Sequence, residues 1–550
     1  MRGRDVFLDS LRLHGATKIF GNPGTTETPL LDNLSDYSDI EYIFNLYEAV
    51  AVCSAGFYAR ASGKTAIANM HAAPGLGNAI GMIYGALKSN APMIVTAGAQ
   101  DTRIRLRDPL LGHDLVAIAK PVTKWSVQVE HADEMATVMQ RAFKIANEHP
   151  KGPVFVALPI NVLEQETKIG ATTAGELSTN GKADADALLQ LAEMIKTSKS
   201  VGIIAGDDVA EAGATDSLVA LSEKIGAGVH LEIVTSSVPF PVHHPHFRGR
   251  VGSDAAQYHR ALGGYDLVLM IGGPFFEEVW HTDASPFADD ATVVQLEPSA
   301  TRLAHNYPLT LGIVGEINDA LTQLVELVGE EPAYAECRAA LVEMYDVAEQ
   351  AAAARFETMR DKSPMTPARA LYELAQAVPD DVVLVEEVIT ASQDVMRNFD
   401  IGGVHESYGC RGGGIGQGMA GCVGTAVARP DQQVIAMTGD GSAMYSIQVL
   451  WTAAHYNLNI LFIILSNREY RVLKHNLEQY RSRFGVPSNN PYSHMDLTQP
   501  FLGFSEMANG MGVPAKQISK PDEIAGAVAE ALATDGPYLL DLLVEGLESE

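Results

Sequence analysis

Cysteine is scarce: four residues in 550, Cys53, Cys337, Cys410 and Cys422, with no spacing of the metal-ligand kind. That excludes a disulfide-built scaffold or a Cys-rich zinc module and suits a reducing compartment. Positive charge is also short, with 39 Lys and Arg against 68 Asp and Glu for a net −29. A chain this acidic lacks the field that nucleic acid or an anionic membrane requires, so any anionic substrate must be drawn in by local groups. Long apolar runs are missing too. The longest, LNILFIIL at 458–465, falls far below the roughly 20 residues of a membrane span. The stretch MRGRDVFLDSLRLHG shows an amphipathic pattern and no apolar signal region. The expectation is a soluble cytoplasmic protein that binds neither nucleic acid nor membrane.

What is present is 47% hydrophobic and 19% charged residues, a globular balance in a chain too long for one core. Short apolar runs recur between helical patterns: KIFG, YIFN, TAIANM, MIVTAG and PVFVALP, then VGIIAG, LVLMIGG and VVQLE, then VVLVEE, VIAMTGD and ILFIILSN. Buried strands joined by helices predict an α/β fold of three domains, each with a parallel sheet flanked by helices. The pattern pauses twice. TTAGELSTNGKADAD, 172–186, is small, polar and glycine-containing, and reads as a linker. Residues 342–369 read as an Ala- and charge-rich helix followed by a Pro-punctuated entry, a second linker. The expected domains are 1–180, 181–340 and 355–550. No short-period repeat or low-complexity segment is found.

One stretch carries chemistry on its face. MTGDGSAMYS, 437–446, ends an apolar strand with an acid held between two glycines. Ser442 is expected to open the helix SAMYSIQVLWTAAHY, which leads to ILFIILSN and Asn467, 27 positions beyond Asp440. Both strand ends belong on the carboxyl edge of a parallel sheet, where such sheets bind ligands. An acid beside an amide oxygen, with a backbone carbonyl just beyond, suits a hard cation such as Mg²⁺. The glycines admit close backbone approach, and a helix start at Ser442 offers N–H groups to an anion. Taken singly, Asp440 reads as a helix cap and Asn467 as a turn residue; together they read as a diphosphate site. Gly416-Gln-Gly418-Met-Ala-Gly421 fits the G-x-G-x-x-G of dinucleotide folds, with Asp440 about 20 residues later. The preceding HESYGCRGG is no buried strand, so that context fails.

With FGNPGTTE (20–27), YEAVAV (47–52), NMHAAPGLGNAIG (69–81), PVTKW (121–125) and GGGIGQG (412–418), the chain resembles the thiamin diphosphate enzymes. The order of motifs is that of benzoylformate decarboxylase-like and acetolactate synthase-like members. GDGSAMYSIQVLWTAAHYN is most similar to the decarboxylase branch. The resemblance runs from about residue 5 to the end and is weakest in the middle. It implies a pyrimidine-binding domain, a middle domain without catalytic groups and a diphosphate-binding domain. It also implies a homo-oligomer, usually a tetramer. One subunit's first domain and its neighbour's third would clasp the cofactor, placing active sites at subunit interfaces.

The resemblance also distributes roles. Glu48 matches the glutamate that hydrogen-bonds the aminopyrimidine, and a lone carboxyl in FNLYEAVAV needs a partner in any case. Ile415 matches the aliphatic wedge that keeps the cofactor bent, and Gly413 the backbone carbonyl to the same ring. Asp440, Asn467 and the Glu469 carbonyl would bind Mg²⁺, Ser442 and Tyr445 would face the diphosphate, and Thr390 and Ser392 stand as further candidates for that end. His71 matches a histidine implicated in proton transfer, a task that suits the histidine side chain as a type. Thr25 falls where the decarboxylase branch has a serine contacting the substrate carboxylate, a departure that keeps the hydroxyl. A second departure is larger: GGPFFEEVWHTD puts Val279 where that branch has a middle-domain histidine. His281, two residues on, and His113, in LLGHDLVAIAKPVTKW, are the candidates for its role. Val472, Leu473 and Asn476 alter the pocket after Asn467.

The activity implied is thiamin diphosphate-dependent decarboxylation of a 2-oxo acid, with carboligation of an aldehyde as a side or main reaction. The alternative is an acetolactate synthase-like carboligase forming acetohydroxy acids or hydroxyketones, which HAAPGLGNAIG and VAIAKPVTKW fit nearly as well. A non-catalytic relative is opposed by the retention of Glu48, His71 and the whole metal motif. Some synthases also hold FAD, and residues 190–340 show no convincing adenine-nucleotide pattern.

Overall fold

Aliphatic strands buried on both faces have no solvent side, and they pair in parallel beneath helices. The computed structural model describes residues 1–179 and 181–547 and contains three six-stranded parallel sheets of this kind. Asn180, inside the expected linker, lies outside the described residues. The first sheet holds β1 (Lys18–Gly21), β2 (Glu41–Phe44), β3 (Ala66–Met70), β4 (Met93–Ala99), β5 (Ser126–Gln128) and β6 (Pro153–Pro159), in the order β2-β1-β3-β4-β6-β5. β4 and β6 are buried along their whole length and pair from Met93 with Pro153 to Ala99 with Pro159. The second holds β7 (Val201–Ala205), β8 (Gly228–Leu231), β9 (Phe247–Arg250), β10 (Leu267–Ile271), β11 (Thr292–Glu297) and β12 (Leu311–Val314), in the order β12-β11-β10-β7-β8-β9. The third includes β13 (Val383–Glu387), β14 (Val434–Gly439), β15 (Ile460–Ser466), β16 (Ala515–Ile518) and β17 (Tyr538–Leu543), side by side as β13-β14-β15-β17-β16.

By contact the chain forms two compact units. One comprises residues 1–177, 362–394 and those from 410 on; the other comprises 178–361 and 395–409. Five helices of the first unit matter for function: α1 (Glu48–Ser62), α2 (Ala72–Lys88), α3 (Gln417–Ala428), α4 (Asp440–Ala443) and α5 (Arg471–Arg483). α1 and α3 are buried nearly all round and lie against each other. Glycine makes this closeness possible. A Cβ at Gly424 would stand 1.8 Å from the Ser54 carbonyl oxygen, and one at Gly421 would stand 2.6 Å from the Phe57 ring. The Ser54 hydroxyl donates across the pair to the Ala420 carbonyl at 2.8 Å. Tyr456 adds a second tie, accepting the Phe44 N–H at 2.8 Å and donating to the Tyr42 carbonyl at 2.9 Å.

In the second unit the strand order reverses between β7 and β10, where a doubly wound sheet opens a ligand crevice. There two backbone bonds link the strand ends. The Gly206 N–H donates to the Ile271 carbonyl and the Asp208 N–H to the Gly272 carbonyl, each at 2.9 Å. Asp208 and Glu297 are buried beside them, with Arg302 2.7 Å from Asp208.

Every apolar run expected to be a strand is one. The strands not expected are short or peripheral, apart from YLLDLL, whose Asp541 disguises it. That carboxylate is buried, accepts from Ser466 and Gln517, and is held above its ordinary range by desolvation. The continuous helix expected from Ser442 is broken. α4 ends at Ala443, residues 444–448 form a turn, and a second helix runs Val449–His455. Tyr445, Ser446 and Val449 each donate to the carbonyl three residues back, the tighter 3₁₀ pattern. Ser442 is therefore the third residue of its helix, not its first.

Candidate active site

At the carboxyl edge of the first sheet, a short 3₁₀ turn (Thr25–Glu27) follows β1, and His71 follows β3. Glu27 is 1% exposed. Its Oε1 accepts the Gly98 N–H at 2.7 Å, its Oε2 accepts the Gly24 N–H at 3.1 Å, and Thr26 donates to Oε1 at 3.0 Å. The same Oε2 lies 3.2 Å from His71 Nδ1. A buried carboxylate on Nδ1 fixes the ring's orientation and tautomer and leaves Nε2 outward. A Cβ at Gly24 would stand 1.7 Å from His71 Nδ1, so only glycine admits this approach. Thr25 is exposed on the same turn. Glu48, the first residue of α1, is half-buried; Asn78 of α2 donates to its Oε2 at 3.1 Å. Gly75 leaves room for it, since a Cβ there would lie 2.9 Å from Oε1. Glu27 is the residue that sequence reasoning missed. Its signal was present, an acid two residues after Thr25 inside a turn motif, but two of its partners, His71 and Gly98, come from distant segments.

At the carboxyl edge of the third sheet, β14 and β15 pair from Val434 with Ile460 to Gly439 with Leu465, which sets Asp440 beside the end of β15. Asp440 Oδ2 accepts the Arg468 N–H at 2.5 Å and Oδ1 accepts the Gly441 N–H at 2.7 Å. Burial pushes this carboxyl up to about 6 against the pull of those two donors. Asn467 Oδ1 accepts the Glu469 N–H at 3.1 Å, closing the loop on itself. The Glu469 side chain turns away to Lys474, which is 0% exposed and lies 2.6 Å from both Glu469 and Asp496. Burial opposes ionisation of Glu469, yet Lys474, the Leu547 N–H and Arg471 hold it below its ordinary value. A Cβ at Gly441 would meet the Tyr470 ring at 2.5 Å. Ser442 is buried, and Tyr445 is exposed and hydrogen-bonded to Tyr470.

Gly412, Gly413 and Gly416 all have positive φ, +80°, +70° and +92°. Gln417 Nε2 donates to the carbonyls of Arg411 and Gly414, and Gly413 lies exposed between them with half-buried Ile415 next in line. The start of α3 is occupied by the chain's own acid: Glu387 Oε1 accepts the Gly416 N–H and Oε2 the Gly418 N–H. That is why G-x-G-x-x-G here is no phosphate loop. Thr390 is exposed in the turn after β13, whereas Ser392 donates to Glu386.

The chain matches the family models for the thiamine pyrophosphate enzymes in three successive parts. The N-terminal TPP binding domain matches residues 1–118, the central domain 188–324 and the C-terminal TPP binding domain 390–542. It is 31% identical to a benzoylformate decarboxylase of Pseudomonas aeruginosa over 98% of each chain. The chain belongs to the thiamine pyrophosphate enzymes. Acetolactate synthase isozyme 3 of Escherichia coli, large subunit, is 25% identical, covering 100% of this chain and 96% of its own. The thiamine diphosphate-dependent 4-hydroxybenzoylformate decarboxylase of Rhodococcus jostii RHA1 superposes with a TM-score of 0.86 at 26% identity, covering 100% of both chains.

In this thiamine pyrophosphate enzyme the residues fit the cofactor the family name implies. Among the described residues no cluster of three His, Cys, Asp or Glu stands ready for a metal. One carboxylate, one amide and a backbone carbonyl, the set expected from Asp440, Asn467 and Glu469, are donors of the kind that suit a hard cation. The two remaining histidine candidates are both exposed. His113 is exposed and accepts the N–H of Asp114. His281, in the second unit, is exposed and lies 3.3 Å from Asp283. Val279 is 66% exposed. Of the pocket residues on α5, Leu473 is 44% exposed and Asn476 half-buried.

Proposed function

We propose that this enzyme decarboxylates a 2-oxo acid with thiamin diphosphate and Mg²⁺, releasing CO₂ and an aldehyde and joining aldehydes as a second outcome. The observation that carries this reading is the end-to-end likeness to a benzoylformate decarboxylase. Bound thiamin diphosphate supplies a carbon nucleophile and an electron sink for the departing carboxylate. Asp440, Asn467 and the Glu469 carbonyl hold the cation; Ser442, Tyr445 and Thr390 face the diphosphate. Glu48 would hydrogen-bond the aminopyrimidine, and the Gly413 carbonyl and Ile415 would set the ring's position. The Thr25 hydroxyl receives the substrate carboxylate. His71, oriented through Nδ1 by Glu27, presents Nε2 for the proton that replaces CO₂. The working form is a cytoplasmic homo-oligomer, a tetramer by family likeness, in which the first-sheet edge of one copy faces the third-sheet edge of another. The domains are 1–180, 181–340 and 355–550.

A second reading makes carboligation the main reaction. It is favoured by Val279, which puts no proton donor at the position of the middle-domain histidine. Product analysis separates the two. Pyruvate, benzoylformate and a branched 2-oxo acid are offered singly with thiamin diphosphate and Mg²⁺. Aldehyde stoichiometric with CO₂ is the expected result; a hydroxyketone or acetohydroxy acid as main product selects the second reading, and no consumption of any 2-oxo acid rejects both.

A further inference from the structure

Glu387 ends β13 and is 2% exposed, and nothing in the reaction above uses it. Its oxygens are committed to the backbone of another segment, to the Gly416 N–H at 2.7 Å and the Gly418 N–H at 2.6 Å. The Gly418 N–H belongs to the first turn of α3, where a helix supplies no acceptor of its own, and the Gly416 N–H to the capping residue just before it. Ser442 bonds to the same carboxyl. The fit is close, since a Cβ at Gly418 would stand 2.7 Å from Glu387 Cβ. A buried carboxyl is costly unless its hydrogen bonds are all made, and this one is pushed up to about 7 by burial even with its backbone donors pulling the other way. The chain keeps it where three segments meet: the strand β13, the glycine turn that presents Gly413 and Ile415, and the helix that carries Ser442.

We infer that Glu387 is a positioning residue that locks the Gly412–Gly418 turn to the Ser442 helix, fixing the spacing between the two ends of the cofactor cradle. The inference rests on the assignment of Gly413 and Ile415 to the pyrimidine end and Ser442 to the diphosphate end. Three glycines with positive φ leave that turn free to take other shapes. Gln417 ties it internally through Arg411 and Gly414. The bonds to Glu387 are what anchor it to the sheet. A glutamine at 387 keeps the shape but sets an NH₂ group against one of two N–H donors, so one anchor becomes a repulsion.

The test is thiamin diphosphate affinity by calorimetry with Mg²⁺ in excess, alongside steady-state rates, for Glu387→Gln, Ile415→Ala and Val423→Ala. Val423, fully buried on α3, is the control for loss of stability alone. For Glu387→Gln the dissociation constant rises about tenfold or more, as expected for one lost hydrogen bond to a charged group. At saturating cofactor kcat falls by a similar factor while KM for the 2-oxo acid stays within about threefold. Val423→Ala lowers the melting temperature and leaves the dissociation constant unchanged. Glu387→Gln matching the wild type in both affinity and kcat, while Ile415→Ala loses them, overturns the inference. An Ile415→Ala enzyme that also matches the wild type overturns the assignment beneath it, and the inference with it. If Glu387→Gln does not fold, amide exchange of the wild-type protein without cofactor decides. Protected Gly416 and Gly418 amides support the lock, and exchange at the rate of an open loop overturns it.

Discussion

At the scale of single residues, the pair of Glu27 and His71 carries the most chemistry. Four donors converge on one buried carboxylate, and the histidine is the one among them to which the proposed function assigns proton transfer. Replacing Glu27 with glutamine keeps the packing but removes the charge that fixes His71. The expected result is a fall in kcat of about 10²-fold, the scale of general acid–base assistance. Thiamin diphosphate affinity should stay within about twofold, because Glu27 is not among the residues assigned to the diphosphate. Calorimetry beside steady-state kinetics checks both parts. Asp440, Asn467 and His71 were legible in sequence because short local motifs frame them. Glu27 and Glu387 were not, because partners such as Gly98 and Gly418 lie 71 and 31 positions away. Local patterns do not encode contacts of that range.

At the scale of elements, the α1–α3 pair shows what glycine spacing does. Both helices are apolar all round, which by periodicity alone fits any buried helix. What sets their separation is the absence of side chains at Gly421 and Gly424. Gly424→Ala puts a methyl group where the Ser54 carbonyl oxygen already stands, and neither backbone can yield without moving a helix. A loss of about 2–4 kcal/mol is expected, at or above the usual cost of overpacking. A lowered thermal midpoint with unchanged cofactor stoichiometry in the folded fraction is the readout. The broken helix after Asp440 makes the same point from the other side. SAMYSIQVLWTAAHY has a helical pattern, yet a 3₁₀ turn at 444–448 swings Tyr445 to Tyr470.

At the scale of the whole molecule, buried acids set the response to pH. Burial, with Asp208 close by, pushes Glu297 up to about 8. The folded protein therefore holds that proton through neutrality, while the unfolded chain releases it near the ordinary carboxylate value. Folding takes up a proton in that window, so stability is highest at its acid end, declines as pH rises, and levels off above about 8. Glu297→Gln should flatten this decline and raise stability at pH 8 by on the order of 1–3 kcal/mol, since one pKa unit is worth about 1.4 kcal/mol. Thermal midpoints of both proteins between pH 5 and 9 measure it. An unchanged slope would locate the linkage in other carboxyls. Among the described residues no helix is long and apolar enough to cross a membrane.

The sequence by itself determined the α/β character, the strands of all three sheets that are apolar runs, and the acid–amide pair of the third sheet. Each of these is written in consecutive residues, as hydrophobic runs, glycine pairs and fixed spacing. Only the tertiary structure decided that Glu27 faces His71, that Glu387 fills the start of α3, and that backbone bonds link the ends of β7 and β10. Those arrangements depend on which distant segments meet. A buried carboxylate looks the same in sequence whichever donors will surround it.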